Sequence, residues 1–159
     1  MKKILVTGAA GFIGFHTSLK LLKLKKKVIG LDNLNNYYDP NLKLSRLKIL
    51  QKNKNFTFKK IDLRDEKKLK KIFQKNKIEK VLNLAAQAGV RYSLINPKSY
   101  IDTNLVGFFN LIDLSRKYKV KNFVYASTSS VYGFLTKMPF KEGSTTDHPI
   151  QLYAATKKS

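Results

Sequence analysis

The run Ile4-Leu5-Val6, followed at once by Thr7-Gly8-Ala9-Ala10-Gly11-Phe12-Ile13-Gly14, limits the fold more than any other stretch of this chain. Glycines 8, 11 and 14 join a short apolar strand to residues 11–24, where Ile13, Leu19, Leu21 and Leu22 recur at helical spacing. A strand that turns over glycines into a helix aims backbone N–H groups at one point, suited to a pyrophosphate, and a Cβ at the turn would collide with that group. The spacing is G-x-x-G-x-x-G rather than G-x-G-x-x-G, so the weight falls on its context. Asp32 ends the next apolar run, Val28-Ile29-Gly30-Leu31, eighteen residues after Gly14. A carboxylate there accepts both hydroxyls of an adenosine ribose and repels a 2′-phosphate, which favours NAD over NADP. The competing reading has Asp32 capping a turn with Asn33.

Strand and helix patterns then alternate. Apolar runs at Phe56–Ile61, Val81–Ala85 and Phe123–Ala126 read as three further strands, with helical patterns between most of them. The clearest helix runs from Pro97 to about Tyr118, with Asn96 as its cap and Ile101, Leu105, Phe108 and Ile112 down one side. Asp39 to Gln51 reads as a helical insertion outside the core unit. This alternation predicts an α/β fold, a doubly wound parallel sheet of Rossmann type in a single domain over residues 1–159. Asp62, after the third strand, either faces an adenine amino group or starts a helix together with Asp65.

The charge needs separate comment. A formal net charge of +22 raises the question of a nucleic-acid partner, yet only Arg46, Arg64, Arg91 and Arg116 carry the planar fork suited to phosphate or guanine. Lys67, Lys68, Lys70 and Lys71 alternate with Leu69, Ile72 and Phe73, the pattern of a solvated helix face, so no nucleic-acid role is expected. With no cysteine, disulfides, thiolate metal sites and a cysteine nucleophile are excluded together, and a cytoplasmic setting is expected. Neither a membrane span nor a metal site is expected.

The segment Thr7 to Gly14 resembles the opening of the extended short-chain dehydrogenases that act on nucleotide sugars. Asn83-Leu84-Ala85-Ala86-Gln87-Ala88-Gly89-Val90-Arg91-Tyr92-Ser93 is similar to that family's fourth-strand segment, although the family usually has histidine where Asn83 stands. Asn104, Gly107 and Asn110 reproduce its N-x-x-G-x-x-N, for which helix packing is the competing explanation. The resemblance implies bound NAD, held by Gly8, Gly11, Phe12, Ile13, Gly14, Asp32, Asn33, Asp62, Leu63, Ala85, Ala86, Gln87, Asn104, Tyr153 and Lys157.

Tyr153 and Lys157 are four apart, on one face of a helix. Positive charge from the lysine and an oxidised nicotinamide favours the phenolate, which then takes a sugar hydroxyl proton as hydride leaves the adjacent carbon. Ala126-Ser127-Thr128-Ser129-Ser130-Val131-Tyr132-Gly133 resembles the family's S-[ST]-x-x-V-Y-G, which implies that Thr128 orients the reacting oxygen while Tyr153 and Lys157 complete the catalytic set. Otherwise these hydroxyls only close a turn. Related 4,6-dehydratases carry Asp and Glu where this chain has Ser129 and Ser130, and two serines do not serve as an acid and base for water elimination. The run from Gly89 to Leu111, with Pro139-Phe140 and Thr145 to Tyr153, most resembles UDP-glucuronate 4-epimerases, implying a UDP-sugar substrate contacted by Arg91, Thr128, Ser129 and Ser130, while UDP-galactose 4-epimerases and UDP-glucuronate decarboxylases share every one of these motifs. It also implies a homodimer through the helix from Pro97, and a partial chain. Such enzymes are about twice this long, so a substrate domain and further sheet strands are expected to follow, and these residues alone to have little turnover.

Overall fold

A computed structural model of the protein describes residues 2–134 and 138–159. Its centre is a five-stranded parallel sheet of β1 (Lys3–Thr7), β2 (Val28–Asp32), β3 (Phe56–Lys60), β4 (Ile78–Asn83) and β5 (Asn122–Tyr125), in the order β3-β2-β1-β4-β5. Chain order reverses beside β1, so the connections leaving β1 and β4 turn to opposite faces of the sheet and open a crevice at the strand tips, the usual ligand position in open sheets of this kind.

Side chains alternate across a strand, and here both faces are covered. Leu5, Ile29, Leu31 and Val81 pack on one side with Leu69, Ile72 and Phe73 of α3 (Glu66–Lys75) and Leu111 and Leu114 of α6 (Phe108–Lys117). Val6 and Val28 pack on the other with Phe15 and Leu22 of α1 (Phe12–Lys23) and Leu47 and Leu50 of α2 (Pro40–Gln51). The alternating α/β reading is therefore what the chain adopts.

Three local expectations need correction. Residues 39–51 are not outside the core unit: Leu50 of α2 is wholly buried and Leu47 nearly so, because the helix closes over the β2–β3 side of the sheet. β4 is Ile78–Asn83 rather than Val81–Ala85, since the Thr7 hydroxyl accepts the N–H groups of Leu84 and Ala85 and so ends the ladder. The long helix is divided into α5 (Pro97–Tyr100), a π-helical stretch (Ile101–Gly107) and α6, after a short α4 (Tyr92–Ile95). The inward line keeps helical spacing but stands one residue earlier than expected, because the side facing the protein is set by contacts of Asn104 with Gln87 and of Gly107 with Leu63. That line is Tyr100, Asn104, Gly107, Leu111 and Leu114, whereas Ile101 and Ile112 face outward and Phe108 packs on Phe123 and Tyr125. Asn96 caps α5 as expected, accepting from Ser99 N. A 3₁₀ turn (Ser129–Tyr132) and α7 (Leu152–Lys158) complete the described elements.

Candidate active site

The glycine turn is set by close backbone approach. Gly8 adopts φ +65°, a left-handed conformation, and a Cβ on it would stand 2.9 Å from Ala85 N. On Gly14 a Cβ would overlap the Gly8 carbonyl oxygen, so the first turn of α1 sits directly against the strand end. Gly11 N donates to Gly8 O and Gly11 O accepts from Phe15 N, which turns the chain into α1. Thr7, fully buried, donates its hydroxyl to Asn83 Oδ1. The residue at 83 thus locks β4 to β1 through its amide.

Asp32 is buried at the tip of β2. Its Oδ2 accepts from Ala10 N at 3.1 Å and its Oδ1 from Leu34 N at 2.9 Å, so it both pins the glycine turn and closes an Asx turn. Asn33, its neighbour, donates to Asp62 Oδ2 at 2.9 Å. Asp62 also receives a bidentate Arg64 guanidinium and Arg64 N. Burial raises the Asp62 pKa, but the hydrogen bonds from Arg64 and Asn33 outweigh it and hold the carboxyl at about 2. The helix-start role belongs to Asp65, which accepts from Lys68 N as the α3 cap.

One cavity is walled by Thr7, Gly8, Gly11, Asp32, Asn33, Asp62, Leu63 and Ala85 to Gln87. A second is walled by Asn83, Ala85, Ala86, Asn104, Thr156 and Lys157. Ala85, Ala86 and Thr103 line both, so the two cavities adjoin over the strand tips, one reaching Asp32 and the other Lys157. Gln87 Nε2, buried in the wall of the first, has no hydrogen-bond partner among the described residues. Among the residues of this groove that the sequence did not point to are Asn35, Tyr37, Tyr38 and Lys43. They follow from α2 being part of the core, which no local pattern marks, since the apolar residues of α2 include the exposed Leu42, Leu44 and Ile49.

Asn104 is fully engaged with protein. Its Oδ1 accepts from Gln87 N at 2.8 Å, and its Nδ2 donates to Gln87 O at 3.0 Å and Thr156 Oγ1 at 3.1 Å. It therefore couples the loop after β4 to α7. Asn110 donates to Leu63 O, and Gly107 lets the helix approach Leu63, so packing accounts for both.

At the far end of the groove, burial pushes the Lys157 ammonium below the usual lysine range, and no carboxylate pairs with it among the described residues. The Tyr153 ring stands edge-on to Tyr100, 6.0 Å between centroids. Tyr100 is wholly buried and donates to the carbonyls of Ala88 and Gly89. The 3₁₀ turn packs against α7, which brings Thr128 to Ser130 beside the helix that carries Tyr153 and Lys157. Thr128 Oγ1 accepts from Ser130 N at 3.3 Å and donates to Ser130 Oγ at 3.4 Å. These are long bonds that leave the hydroxyl free to change partner. Thr128, Ser129, Ser130 and Tyr153 do not line either cavity, nor do Phe12, Ile13, Gly14 or Arg91; Phe12, Ile13, Ser129 and Arg91 are exposed. Among the described residues no group of three His, Cys, Asp or Glu is placed to hold a metal, and no helix is long and apolar enough to cross a membrane.

The chain is similar to known proteins throughout its length. It is 54% identical over 157 residues to "Protein CapI" of Staphylococcus aureus, covering 99% of this chain and 47% of that protein. It is 48% identical over 157 residues to UDP-glucuronate 4-epimerase 3 of Arabidopsis thaliana, covering 98% of this chain and 36% of the relative. The fold matches the crystal structure of UDP-glucuronic acid 4-epimerase from Bacillus cereus in complex with UDP-glucuronic acid and NAD, with TM-score 0.89, 35% identity, and coverage of 99% of this chain and 49% of that one. UDP-glucose 4-epimerase of Thermotoga maritima with UDP-glucose matches with TM-score 0.86 and 37% identity, over 99% of this chain and 48% of its own. The chain thus spans about half the length, or less, of these relatives. A family model described as GDP-mannose 4,6 dehydratase matches residues 5–159, and this protein belongs to that family.

Proposed function

We propose that the chain is the NAD-binding part of a nucleotide-sugar 4-epimerase whose substrate is UDP-glucuronate and whose product is UDP-galacturonate. The observation that carries this reading is the pair of adjoining cavities over the strand tips, lined at one end by Asp32 and at the other by Lys157. Its residues fit a dinucleotide. The glycine turn is a cradle that a Cβ would fill, Asp32 has lone pairs left for ribose hydroxyls, and the orphaned Gln87 amide is a donor inside the wall. NAD, when bound, supplies a hydride acceptor that returns the same hydride, so no net oxidation results.

The chain's own residues supply the rest. Gly8, Gly11 and the N-terminus of α1 bind the pyrophosphate, and Asp32 accepts the adenosine ribose hydroxyls. Lys157, cationic in a half-buried position, favours the phenolate of Tyr153, one helical turn earlier, and Tyr153 then withdraws the proton of the sugar 4-hydroxyl. Thr128 turns its hydroxyl from Ser130 to the same sugar oxygen. Ser129 and Ser130 stand where water elimination would need an acid and a base, which favours epimerisation over dehydration. Arg91, exposed beside α4, is a candidate partner for the sugar carboxylate.

Two wider assignments belong to the same reading. The outward apolar residues Ile101, Val106, Phe109 and Ile112 suit a second copy of the chain, giving a homodimer, and we assign the protein to the cytoplasm. The domain assignment for residues 1–159, with the sugar-binding part on further chain, rests on the lengths of the relatives. The test is to incubate a full-length form that contains these residues with NAD and UDP-glucuronate, and in parallel with UDP-glucose, and to follow the sugar C4 configuration by NMR. Conversion of UDP-glucuronate, lost in Tyr153→Phe with NAD still bound, supports the proposal; NAD binding with conversion of UDP-glucose alone overturns the substrate assignment.

A further inference from the structure

Asp32 does not stand alone at the adenosine end of the groove. Lys43, projected from α2, is only 5% exposed, and its Nζ lies 3.8 Å from Asp32 Oδ1. That ammonium donates to Asn35 Oδ1 at 2.7 Å and sits 4.7 Å from the centre of the Tyr38 ring. Asp32, Asn35, Tyr38 and Lys43 all line the cavity. An ammonium has three hydrogens, and among the described residues only Asn35 takes one within hydrogen-bond distance. Arg46 stands behind, donating to Ala10 O and to Tyr38 Oη at 3.3 Å each.

Each oxygen of Asp32 already holds one backbone N–H, so the carboxylate keeps one lone pair per oxygen for the ribose. A bare carboxylate in that position would repel a 2′-phosphate. With a buried cation at 3.8 Å the pair is close to neutral at the distance of the ribose, and a second positive group lies one helical turn further along α2. Burial lowers the affinity of Lys43 for its proton, and the Asp32 charge restores part of it.

We infer that Lys43 sets cofactor selectivity here, donating to the ribose 2′ oxygen beside Asp32 and offsetting its charge, so that the site admits a 2′-phosphorylated dinucleotide as a weaker second ligand. This rests on the dinucleotide reading above and extends it from NAD alone to both nicotinamide dinucleotides, with Asp32 keeping NAD first. The same geometry explains why a helix that sequence periodicity sets aside is buried against the site. The helix carries Leu47 and Leu50 into the core and Lys43 into the groove.

Calorimetric titration of the full chain with NAD and with NADP tests it, using wild type, Lys43→Met and Lys43→Arg, with circular dichroism to verify folding. Wild type is expected to prefer NAD by about 10- to 100-fold, Lys43→Met to widen that preference by at least about tenfold, and Lys43→Arg to leave it within about threefold. Equal losses of both ligands in Lys43→Met, or no loss, would overturn the inference. If Lys43→Met does not fold, the wild type decides: a preference beyond about a thousandfold means that Asp32 acts as an uncompensated charge. A wild type that binds neither dinucleotide overturns the underlying reading as well, whereas NAD binding with a selectivity blind to Lys43 overturns this inference alone.

Discussion

Asn104 Nδ2 donates to Thr156 Oγ1 across 3.1 Å, joining the π-helical stretch to the helix that carries Tyr153 and Lys157. The same amide brackets Gln87 through its N–H and its carbonyl. One buried side chain therefore fixes both the loop under the groove and the helix at its end. Asn104→Ala leaves Gln87 N and Gln87 O unpaired in the interior and is expected to cost about 2 to 3 kcal/mol of stability by denaturant titration. Asn104→Asp keeps the acceptor for Gln87 N but loses both donors, so its loss should be similar or larger. A variant as stable as the wild type would show that the bridge is dispensable.

The glycine turn offers a sharper contrast. Gly14→Ala forces a methyl group into the Gly8 carbonyl, where neither backbone segment has room to withdraw. The expected loss is at least about 2 kcal/mol, with NAD binding weakened at the same time. Gly143→Ala, where no atom lies within 4 Å of the added carbon, should change the thermal midpoint little. Equal midpoints for the two variants would contradict the packing of α1 against β1.

Asp62 predicts a pH dependence. Its folded pKa of about 2 lies below the ordinary value of 3.8, so its pairing with Arg64 and Asn33 stabilises the fold above pH 4 and is lost as pH falls from about 4 to 2. Because water screens the half-exposed pair, that shift corresponds to about 1 kcal/mol or less at neutral pH. Asp62→Asn should therefore be less stable than the wild type at pH 7, with the gap closing towards pH 2. A constant gap across that range would assign the effect to packing instead.

How far the sequence alone reaches is visible in particular residues. The glycine turn, Asp32 and the strand alternation are local patterns, and the sheet forms from them as read. Lys43 was not legible, because a lysine on an amphipathic helix ordinarily marks the solvated side, and only the fold of α2 over β2 turns it inward. The outward position of Ile101 and Ile112 was hidden for a different reason. The buried line has the same helical spacing one residue earlier, and it runs through Asn104 and Gly107, a polar residue and a glycine that an apolar pattern does not mark. Asn110 and Gly107 matched a motif, yet their contacts are with the Leu63 turn.

Lys157 carries the clearest opposition between stability and chemistry. Burial lowers its folded pKa, and no carboxylate offsets its charge among the described residues. A lysine whose pKa is lowered on folding binds its proton less tightly in the native state, so stability rises as pH climbs through the folded value towards the unfolded one. At neutral pH the charged form therefore works against the fold. Lys157→Met, which keeps the length of the side chain and removes the charge, should raise the thermal midpoint at pH 7, by about 1 kcal/mol or less in stability. The gain should shrink as pH approaches 10. The same variant is expected to abolish proton withdrawal by Tyr153, since the cation that favours the phenolate is gone. Thermal melts at pH 7 and pH 10, set beside NMR assays of the sugar product, separate the two effects. A midpoint that falls at pH 7 would mean that a bound anion or a further part of the chain pairs with the ammonium.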